Sequence, residues 1–391
     1  MSKSTSSGLI PDKVPGPSLR VVINGAHAKS GGGVTYLRKI LPELVKQPGL
    51  ELHLFLHRDQ LELFYPVCDG VRISLFEHNS GFWPTLWWEQ FSLPVLTRAM
   101  RADVVFSPAN YGPLFVRNHV IMLRNATSVI RLTARLRSVR YWLVLSVATF
   151  ASLVFARRAI AVSGYAARIL TFGMGRLFRR KLDVVYHGAS KPLRVRDNNR
   201  SPGKSLLAVS DIYVQKNYHS LIRAFARLHE HDPDLTLAIA GREIDTHYAG
   251  SVKELAQRLD VGDAVQFMGH LDSDAVADLY QKCNVFVFPS TIETFGNPLL
   301  EAMSVGVPIA CSNSAAMPEV IGDAGLTFDP YDIGDIACKI EELLNNPELR
   351  EDLGKKAVRR AEQFSLSKTA EFTAIVLRNA AKPERTRLRE V

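Results

Sequence analysis

Cysteine is scarce in this chain and is never clustered. The four cysteines among 391 residues are widely separated, and none belongs to a C-x-x-C pair or lies beside grouped histidines. This spacing argues against a zinc site. Cys283 and Cys311 lie in or beside apolar stretches, so we expect buried thiols in a reducing, cytosolic compartment.

Long apolar runs are also absent. Residues 1–18 are rich in Ser, Pro, Lys and Gly and lack the apolar run of a secretory signal, which predicts a disordered tail and no export. The apolar run Tyr141–Phe155 holds about 15 residues, short of the roughly 20 that span a bilayer. Four arginines between positions 131 and 140 precede it. Two interpretations stay open: a buried core helix with a solvated basic lead-in, or a basic, partly apolar surface that rests on anionic lipid.

Acidic residues are outnumbered by basic ones. The formal net charge of +9 favours an anionic partner, such as nucleic acid, an acidic membrane face or a phosphorylated small molecule. The sequence contains no RNA- or DNA-binding motif. The proportions of hydrophobic residues (47%) and charged residues (22%) are ordinary for a globular protein, and the length favours two domains.

The chain is organised as two similar halves. Strand-length apolar runs alternate with helical-period segments, which predicts an α/β fold with two Rossmann-like, doubly wound domains facing an interdomain cleft. A polar, turn-rich stretch at positions 194–204 separates them. The predicted units are a disordered tail (1–18), a first domain (19–193), a second domain (204–365), and a closing helix and tail (366–391) that can cross back to the first domain. In the second half the pattern predicts strands 205–210, 235–240, 265–268, 284–289 and 308–311, with helices 217–230, 252–259, 273–281 and 298–305.

The most informative stretch is residues 288–308. A strand ends there, a polar loop carries Glu293, and Asn297 followed by Pro298 is a helix-start signal, with Asn297 as the expected N-cap. The free amides and the positive dipole end of this helix predict an anion site that needs no metal. Gly296 lets a phosphate approach the backbone closely.

Two carboxylates flank the expected phosphate position. Glu293 lies in the loop, and Glu301 is expected in the first turn of the helix. A carboxylate beside an anion site fits a ligand that also carries hydroxyls, because it accepts two hydrogen bonds from a diol such as a ribose or a hexose. Alternatively, Glu301 only favours the helix dipole, and Glu293 is a solvated loop residue. The residues alone leave both interpretations open.

This pair of carboxylates resembles a known signature. Glu293 and Glu301, with seven residues between them, resemble the E-x7-E signature of retaining GT-B glycosyltransferases of family 4, the glycosyl transferases group 1. The resemblance covers residues from about 205 to 330. It implies the GT-B fold, with an acceptor-side first domain and a nucleotide-sugar-binding second domain. It further implies that Glu293 lies against the donor sugar as a catalytic residue, that Glu301 holds the ribose hydroxyls, and that Thr294 and Phe295 belong to the donor-binding loop.

A second stretch, Ser210–Asn217, ends a strand and opens a helix. At this position the family carries Gly-x-x-x-x-Arg-Lys-Asn, whose two cations grip the donor diphosphate. Lys216 matches this pattern and Gln215 does not. The resemblance implies that Lys216 stabilises the leaving phosphate as a catalytic residue, with the amides near Gly296 and the side chain of Arg242 as further donors. The alternative for Lys216 is an ordinary surface lysine.

The first half opens with a glycine triplet, residues 31–33, between a strand and a helix. It matches neither the dinucleotide fingerprint G-x-G-x-x-G nor the P-loop pattern. It resembles the family's Gly-Gly loop, which implies that Gly32 and Gly33 approach the donor phosphates; a plain flexible turn is the alternative. Where family members often carry His-Asp, this chain has Arg124 and Asn125, which we assign to the acceptor or sugar side.

Aromatic residues and histidines of the first half have ambiguous roles. The stretch Trp87–Gln90 resembles one that precedes the acceptor side in relatives, although aromatic residues there belong more often to the core than to a sugar platform. His27 and His187 are expected to be structural or hinge-adjacent.

The family resemblance implies a hexosyltransferase, which we expect in the cytoplasm, where a peripheral contact with an anionic membrane surface would place it at the cytoplasmic face of the membrane. The expected donor is a UDP- or GDP-linked sugar, with mannose among the candidates, and the acceptor is a hydroxyl of a glycan or lipid-linked molecule in polysaccharide or cell-envelope biosynthesis. We expect no cofactor besides the donor substrate, no metal and no nucleic acid partner. The alternatives are a sugar-nucleotide epimerase on the same fold and a non-enzymatic polyanion-binding protein. A nicotinamide oxidoreductase would need a glycine fingerprint that is missing.

Overall fold

The computed structural model describes residues 18–29, 32–78, 81–125, 136–189 and 204–382, with side chains from residue 143 onward in the fourth helix. Several sequence predictions lie outside these residues. They concern the amino-terminal tail, Gly31, the arginine-rich stretch before the long apolar run, the boundary at 194–203, and the last nine residues.

The first half forms a seven-stranded parallel sheet in the order β3-β2-β1-β4-β5-β6-β7. Its strands are β1 (Leu19–Asn24), β2 (Leu50–His57), β3 (Val71–Phe76), β4 (Val104–Ser107), β5 (His119–Leu123), β6 (Arg158–Ala161) and β7 (Leu182–Val184). Its helices are α1 (Gly32–Val45), α2 (Phe82–Trp87), α3 (Leu93–Ala99), α4 (Leu136–Phe155), α5 (Gly164–Leu170) and α6 (Gly175–Phe178), with a π-helical turn at Trp88–Ser92 and a 3₁₀ segment at Arg58–Phe64.

The second half forms a six-stranded parallel sheet in the order β10-β9-β8-β11-β12-β13. Its strands are β8 (Ser205–Val209), β9 (Thr236–Ala240), β10 (Val265–Gly269), β11 (Val285–Phe288), β12 (Ile309–Ser312) and β13 (Leu326–Phe328). Its helices are α7 (Tyr218–His231), α8 (Thr246–Arg258), α9 (Ser273–Lys282), α10 (Asn297–Val305), α11 (Met317–Ile321), α12 (Ile333–Asn345) and α13 (Pro347–Ala361), after a 3₁₀ turn at Val214–Lys216.

Central strands of both sheets are buried along their whole length, as in β4, β5, β11 and β12. This is the expected state of parallel strands that helices cover on both faces, and it explains why these strands are continuous apolar runs in the sequence.

The five predicted strands of the second half agree with the observed ones within one residue at each end. The predicted helix at 252–259 was wrong at its start: α8 begins at Thr246, where the Asp245 side chain caps the Tyr248 amide.

The strand order of each sheet reverses beside its first strand, between β1 and β4 and between β8 and β11. Ligands of doubly wound sheets bind in the crevice outside the carboxyl ends of the strands at such a switch point. The two crevices meet in this molecule, because the Thr294 hydroxyl after β11 donates a hydrogen bond to the Arg124 carbonyl after β5. Any site of the second half is therefore shared with the first.

The last helix, α14 (Leu366–Ala381), follows the second half in sequence but packs against α1 and the first sheet. The chain passes from the first half to the second after Ala189 and returns to the first half after Phe364. These two crossings lie side by side, because the Ala189 amide donates to the Phe364 carbonyl at 3.0 Å. A Cβ at Gly188 would lie 2.3 Å from the Ser365 and Leu366 backbone, so only glycine fits this approach. Arg378 fixes the far end of α14 by donating to the Pro48 carbonyl at 2.8 Å.

Candidate active site

The loops that follow β8 and β11 bring Lys216 and Glu293 into direct contact. The Lys216 ammonium donates to Glu293 Oε1, although the two residues are 77 positions apart. The lysine side chain is 8% exposed and the glutamate side chain 18%. The rings of Tyr213 and Phe288 lie 5.3 and 5.5 Å from the ammonium. Lys216 is therefore a buried cation at the cleft, and the surface-lysine alternative is wrong.

Electrostatics keep Lys216 protonated. Burial by itself lowers the pKa of this ammonium, but the charge of Glu293, followed by that of Tyr213, outweighs burial, and the net pKa is raised. Buried charges persist only when they are paired and hydrogen-bonded. The lysine is thus a permanent positive charge that faces the Glu293 carboxylate and can face a phosphate instead.

The helix after this loop begins one residue earlier than its sequence suggests. Gly296, with φ of 90°, is the N-cap of α10 and provides no side-chain cap hydrogen bond, and Asn297 is the first residue of the helix. The prediction of Asn297 as N-cap was wrong because the chain turns through a left-handed conformation that suits glycine. Pro298 lies within the first two helical positions, where its missing N–H costs nothing.

Glu301 lies in the second turn of α10, so its prediction in the first turn was also wrong. It contacts the first half: the Lys39 ammonium of α1 lies 3.4 Å from Glu301 Oε1. Both side chains are about one-third exposed. A cavity of about 30 Å³ between the halves is lined by both residues together with Tyr36, His187 and Asn297. Glu301 faces the groove between the halves.

Arg242 and Gln215 do not form, together with Lys216, the free pair of cations that the family pattern implies for the donor diphosphate. Arg242 is held by a bidentate ion pair with Asp211, whose oxygens accept from Nε at 3.2 Å and from Nη2 at 2.8 Å. Burial alone would raise the pKa of Asp211, but the hydrogen bonds and charge of Arg242 hold it below its usual value. Gln215 is buried, and its carbonyl accepts from the Thr291 amide. Asp211 therefore engages two of the guanidinium N–H groups, and Arg242 offers a ligand only the remaining ones unless it leaves Asp211.

The first half contributes a second, half-buried cation, Arg124. Burial lowers the pKa of the Arg124 guanidinium, which lies over the Tyr36 ring at 5.4 Å. A Cβ at Gly32 would lie 3.1 Å from Arg124 Nη2, so the glycine loop lies directly against this cation. Gly33 packs on the Ala28 backbone in the same loop. The side chain of the neighbouring residue Asn125 is exposed.

The donor-loop residues also join the halves. Ser163 donates to the Thr294 carbonyl at 2.6 Å, and Phe295 is buried with its ring edge-on to His187 at 5.5 Å. Burial, then the charges of Arg124 and Lys39, lowers the pKa of His187 to about 3. The histidine is a neutral packing residue, which agrees with its expected structural role.

The halves are also joined by an interaction that the sequence did not reveal. Glu319 of α11 accepts hydrogen bonds from the first two amides of α5, from Gly164 at 2.6 Å and from Tyr165 at 3.0 Å. Arg360 donates to the Glu319 carbonyl at 2.8 Å and steadies that turn. The strand-Ser-Gly sequence before α5 is a visible helix-start signal, but nothing in it identifies a partner 155 residues away.

The aromatic stretch Trp87–Gln90 contains one buried tryptophan and one exposed tryptophan, so each of the two interpretations, core packing and a sugar platform, fits one of them. Trp88 is buried and stacks on Phe76 at 3.7 Å, whereas Trp87 is 63% exposed. Cys283 and Cys311 are buried, as expected. No helix in the described part of the chain combines the length and apolar character that crossing a bilayer requires.

Comparisons with known proteins agree with this geometry. Residues 191–360 match the family described as glycosyl transferases group 1. The chain is 42% identical over 101 residues to O-antigen chain mannosyltransferase B of Escherichia coli, covering 26% of each chain. It is 33% identical over 181 residues to a sulfoquinovosyl transferase of Arabidopsis thaliana (45% of this chain, 33% of the relative). It is 29% identical over 188 residues to a serotype-specific mannosyltransferase of Escherichia coli, and the matched part is 48% of this chain and 23% of the relative. The chain thus spans about a quarter to a third of the length of these relatives.

Solved structures share the whole architecture. Sucrose-phosphate synthase of Thermosynechococcus elongatus superposes with a TM-score of 0.74 at 17% identity, over 92% of this chain and 98% of that one. HepE of Anabaena, solved in complex with UDP and glucose, superposes with a TM-score of 0.72 at 18% identity, over 92% and 100%. At these identities the likeness concerns the fold. With its two parallel sheets and the shared architecture this chain has the GT-B fold, and its residues 191–360 are similar to the glycosyl transferases group 1.

Proposed function

We propose that this protein transfers a hexose from a nucleotide diphosphate sugar to an acceptor hydroxyl, with retention at the anomeric carbon. The observation that carries the proposal is the meeting of Lys216, Glu293 and the start of α10 at the switch point of the second sheet. A cation and a helix N-terminus suit a diphosphate, and an adjacent carboxylate suits sugar hydroxyls. The UDP and glucose bound by HepE support a nucleotide-sugar donor.

In this mechanism the diphosphate replaces Glu293 as the partner of Lys216. The bond between the anomeric carbon and the phosphate oxygen breaks, and negative charge develops on the diphosphate. Lys216 and the Asn297 amide at the start of α10 stabilise that charge without a metal, because they are held in place before the reaction. The released phosphate oxygen takes the proton of the acceptor hydroxyl on the same face of the sugar, so no covalent intermediate with the protein forms. Glu293 then accepts hydrogen bonds from the sugar, and Glu301 from the ribose.

We place the acceptor on the first half and at an anionic membrane surface. Between Val104 and Leu182 the sequence holds thirteen Lys and Arg residues and no Asp or Glu. The same half exposes apolar side chains on α4, where Leu143 and Val147 are more than 60% exposed. A basic, apolar surface of this kind favours anionic lipid. Two relatives, one named an O-antigen chain mannosyltransferase and the other a serotype-specific mannosyltransferase, support mannose and a cell-envelope acceptor.

A donor screen tests the proposal. Thermal unfolding of the full chain is followed with UDP-, GDP- and ADP-linked hexoses at millimolar concentration. We expect one base and sugar to raise the melting temperature, because a ligand that binds only the folded state stabilises it. Glu293→Gln and Lys216→Ala should each reduce that shift. The absence of stabilisation by every sugar nucleotide would contradict the proposal.

An assay with the stabilising donor then distinguishes sugar transfer from the alternative activity, epimerisation of the sugar nucleotide. Incubation of the enzyme with donor alone should leave the sugar configuration unchanged, with at most slow hydrolysis. Product formation should require an acceptor hydroxyl, and its anomeric configuration should match that of the donor. A new sugar-nucleotide epimer without any acceptor would assign the alternative activity.

A further inference from the structure

The loop that carries Glu293 is fixed on its strand side by contacts within the second half. The Thr291 amide and hydroxyl both donate to the Gln215 carbonyl, at 2.9 and 3.2 Å. The Glu293 carbonyl accepts from the Ala316 amide at 3.3 Å. This side of the loop is therefore held by the domain that also carries Lys216.

The residue that follows Glu293 is held by the first half instead. The Ser163 hydroxyl donates to the Thr294 carbonyl at 2.6 Å. The Thr294 hydroxyl in turn donates to the Arg124 carbonyl. The first half thus binds Thr294 both at its backbone and at its side chain, directly beside the residue that bears the carboxylate.

Ser163 has a fixed position between β6 and α5. It is 0% exposed, and its hydroxyl oxygen caps α5 by accepting from the Ala166 amide at 2.9 Å. A hydroxyl has a single hydrogen, and that hydrogen is directed to Thr294. The next residue, Gly164, is held by the Glu319 carboxylate. The hydroxyl that supports the loop is therefore constrained both as a donor and as an acceptor.

The Arg124 carbonyl, which receives the Thr294 hydroxyl, also has a fixed position. The Asn110 side-chain oxygen accepts from the amides of Arg124 and Asn125 at 2.8 and 3.0 Å. The Asn110 side-chain amide donates to the Asn125 carbonyl at 2.7 Å, and this asparagine is 1% exposed. One preformed donor and one preformed acceptor of the first half therefore complement the acceptor and the donor of Thr294.

The position of this loop matters because of Glu293. Its carboxylate contacts Lys216, and in the proposed reaction the diphosphate takes over that lysine. The carboxylate then loses the side-chain partner that held it, and only its backbone fixes where it reaches. Functional groups have to be held within about 0.5 Å of their productive geometry by supporting hydrogen bonds. The contacts on Thr294 are supporting bonds of this kind.

We propose that Ser163 is a positioning residue for the transfer reaction, because its hydrogen bond to the Thr294 carbonyl places the Glu293 carboxylate against the donor sugar. The inference rests on the proposed transfer reaction. In this role Ser163 contacts neither the donor nor the reacting atoms, and it acts through the peptide that follows Glu293. The contact between Thr294 and Arg124 restrains the orientation of the same residue.

This role distinguishes two ligands that share a base and a diphosphate. A sugar nucleotide uses Glu293 to receive the hydroxyls of its hexose, whereas a nucleoside diphosphate has no hexose. A displaced Glu293 carboxylate should therefore weaken binding of the sugar nucleotide and spare the nucleoside diphosphate. A general disturbance of the cleft would weaken both ligands, because Lys216 and the start of α10 face the diphosphate that they share.

Calorimetric titration of such a ligand pair into the full chain tests Ser163. The pairs are GDP-mannose with GDP and UDP-glucose with UDP, and the pair used is the one whose sugar nucleotide stabilises the chain. Ser163→Gly removes the hydroxyl, and glycine is tolerated at an N-cap with little loss of stability. We expect about three- to tenfold weaker binding of the sugar nucleotide, the usual effect of one lost hydrogen bond, and unchanged binding of the nucleoside diphosphate.

Two further variants separate positioning from helix capping. Ser163→Ala keeps the Cβ but loses the cap, and it should show the same difference between the two ligands. Asn346→Ala removes the N-cap of α13 within the second half, and it should leave both affinities unchanged. Equal weakening of both ligands by Ser163→Gly, or no weakening of either ligand, would overturn the positioning role.

A double-mutant cycle identifies the residue through which Ser163 acts. Glu293→Ala removes the carboxylate, so Ser163→Gly in that background should change the affinity for the sugar nucleotide by less than about twofold. The same three- to tenfold loss in both backgrounds would contradict action through Glu293.

The unmodified chain separates the two proposals. If it binds a sugar nucleotide and the Ser163 variants bind both ligands as tightly as it does, only the positioning role fails. If no sugar nucleotide binds even the unmodified chain, the transfer reaction itself fails, and the role of Ser163 fails with it.

Discussion

Glu319 in the second half caps a helix of the first half: its carboxylate receives the Gly164 amide at 2.6 Å. The Tyr165 amide binds its other oxygen at 3.0 Å. A carboxylate at a helix N-terminus is favoured by both the free amides and the dipole. A Cβ at Gly164 would lie 3.1 Å from the carboxylate, so the glycine keeps this approach open. The two halves are thus held together by a charge-assisted contact beside the donor loop.

The first prediction concerns this contact. Glu319→Ala should lower the free energy of unfolding by roughly 1–2 kcal/mol, because a capping side chain is lost, and should open the cleft. Unfolding in urea measures the first effect, and the radius of gyration from X-ray scattering measures the second. Asp332→Ala is the matched control, since Asp332 caps α12 within the second half. It should cost similar stability without opening the cleft. An unchanged radius of gyration in Glu319→Ala would contradict the closing role.

The second prediction concerns Lys216. Lys216→Ala should lower the transfer rate by about 10²–10³, the usual cost of one lost donor to a developing negative charge. Lys253→Ala is the control, because Lys253 also pairs with a glutamate and also lies over an aromatic ring, but at the surface. Steady-state kinetics with the stabilising donor measure both variants. Near-normal turnover in Lys216→Ala would remove this lysine from the mechanism.

The juxtaposition of Lys216 and Glu293 follows from features that the sequence displays. Apolar runs bounded by turn residues mark β8 and β11, and in a doubly wound sheet these two strands are neighbours at the switch point. Residues just beyond their carboxyl ends must then meet. The start of α10 was misplaced by one residue, because Asn before Pro is a strong capping signal and the left-handed turn at Gly296 is not visible from composition.

Other contacts depend on information that local patterns do not carry. The pairing of Asp211 with Arg242, and of Glu89 with His27, is a choice among many possible partners that only the packed side chains decide. Asp211 took no part in the sequence-based prediction. Strand β13 has three residues, too few for a period to be recognised. Tertiary packing determines these side-chain pairings and the short strand β13, whereas residue propensity and hydrophobic periodicity determine the longer strands around them.

The third prediction separates the two candidate phosphate cations. Arg242→Ala should weaken donor binding by less than about tenfold, that is ~1.4 kcal/mol, because the guanidinium is already occupied by Asp211. Asp211→Asn should strengthen donor binding, since it releases the arginine. Calorimetric titration of the donor measures both. A loss in Arg242→Ala as large as that in Lys216→Ala would show that Arg242 turns from Asp211 to the phosphate.

The fourth prediction concerns acid stability. Burial lowers the pKa of His119 and of His187 to about 3, from an unfolded value near 6.5. Between these pH values the unfolded chain binds more protons, so stability is fully present above about pH 6.5 and falls as the pH drops toward 3. Each histidine adds a slope of about 1.4 kcal/mol per pH unit. His119→Asn should remove one such slope in urea unfolding between pH 6 and pH 4. The exposed His231→Asn serves as the control, and an identical slope in His119→Asn would refute the assignment.

The fifth prediction concerns the exposed aromatic face that Trp83 and Trp87 form on the first half. Trp83→Ser/Trp87→Ser should weaken binding to vesicles that contain phosphatidylglycerol, because two indoles leave the interface and their burial is lost. Tyr331→Ser, which removes an equally exposed ring from the second half, should leave binding unchanged. Binding should also fall with added salt and vanish on pure phosphatidylcholine, since the arginine-rich half supplies the attraction. Sedimentation with vesicles measures all three. If added salt did not weaken binding, the arginines would not form the membrane surface. If the Trp83→Ser/Trp87→Ser variant bound vesicles as well as the unmodified chain, the tryptophans would not form it either. With both results, a lipid-linked acceptor would have to reach the cleft from solution.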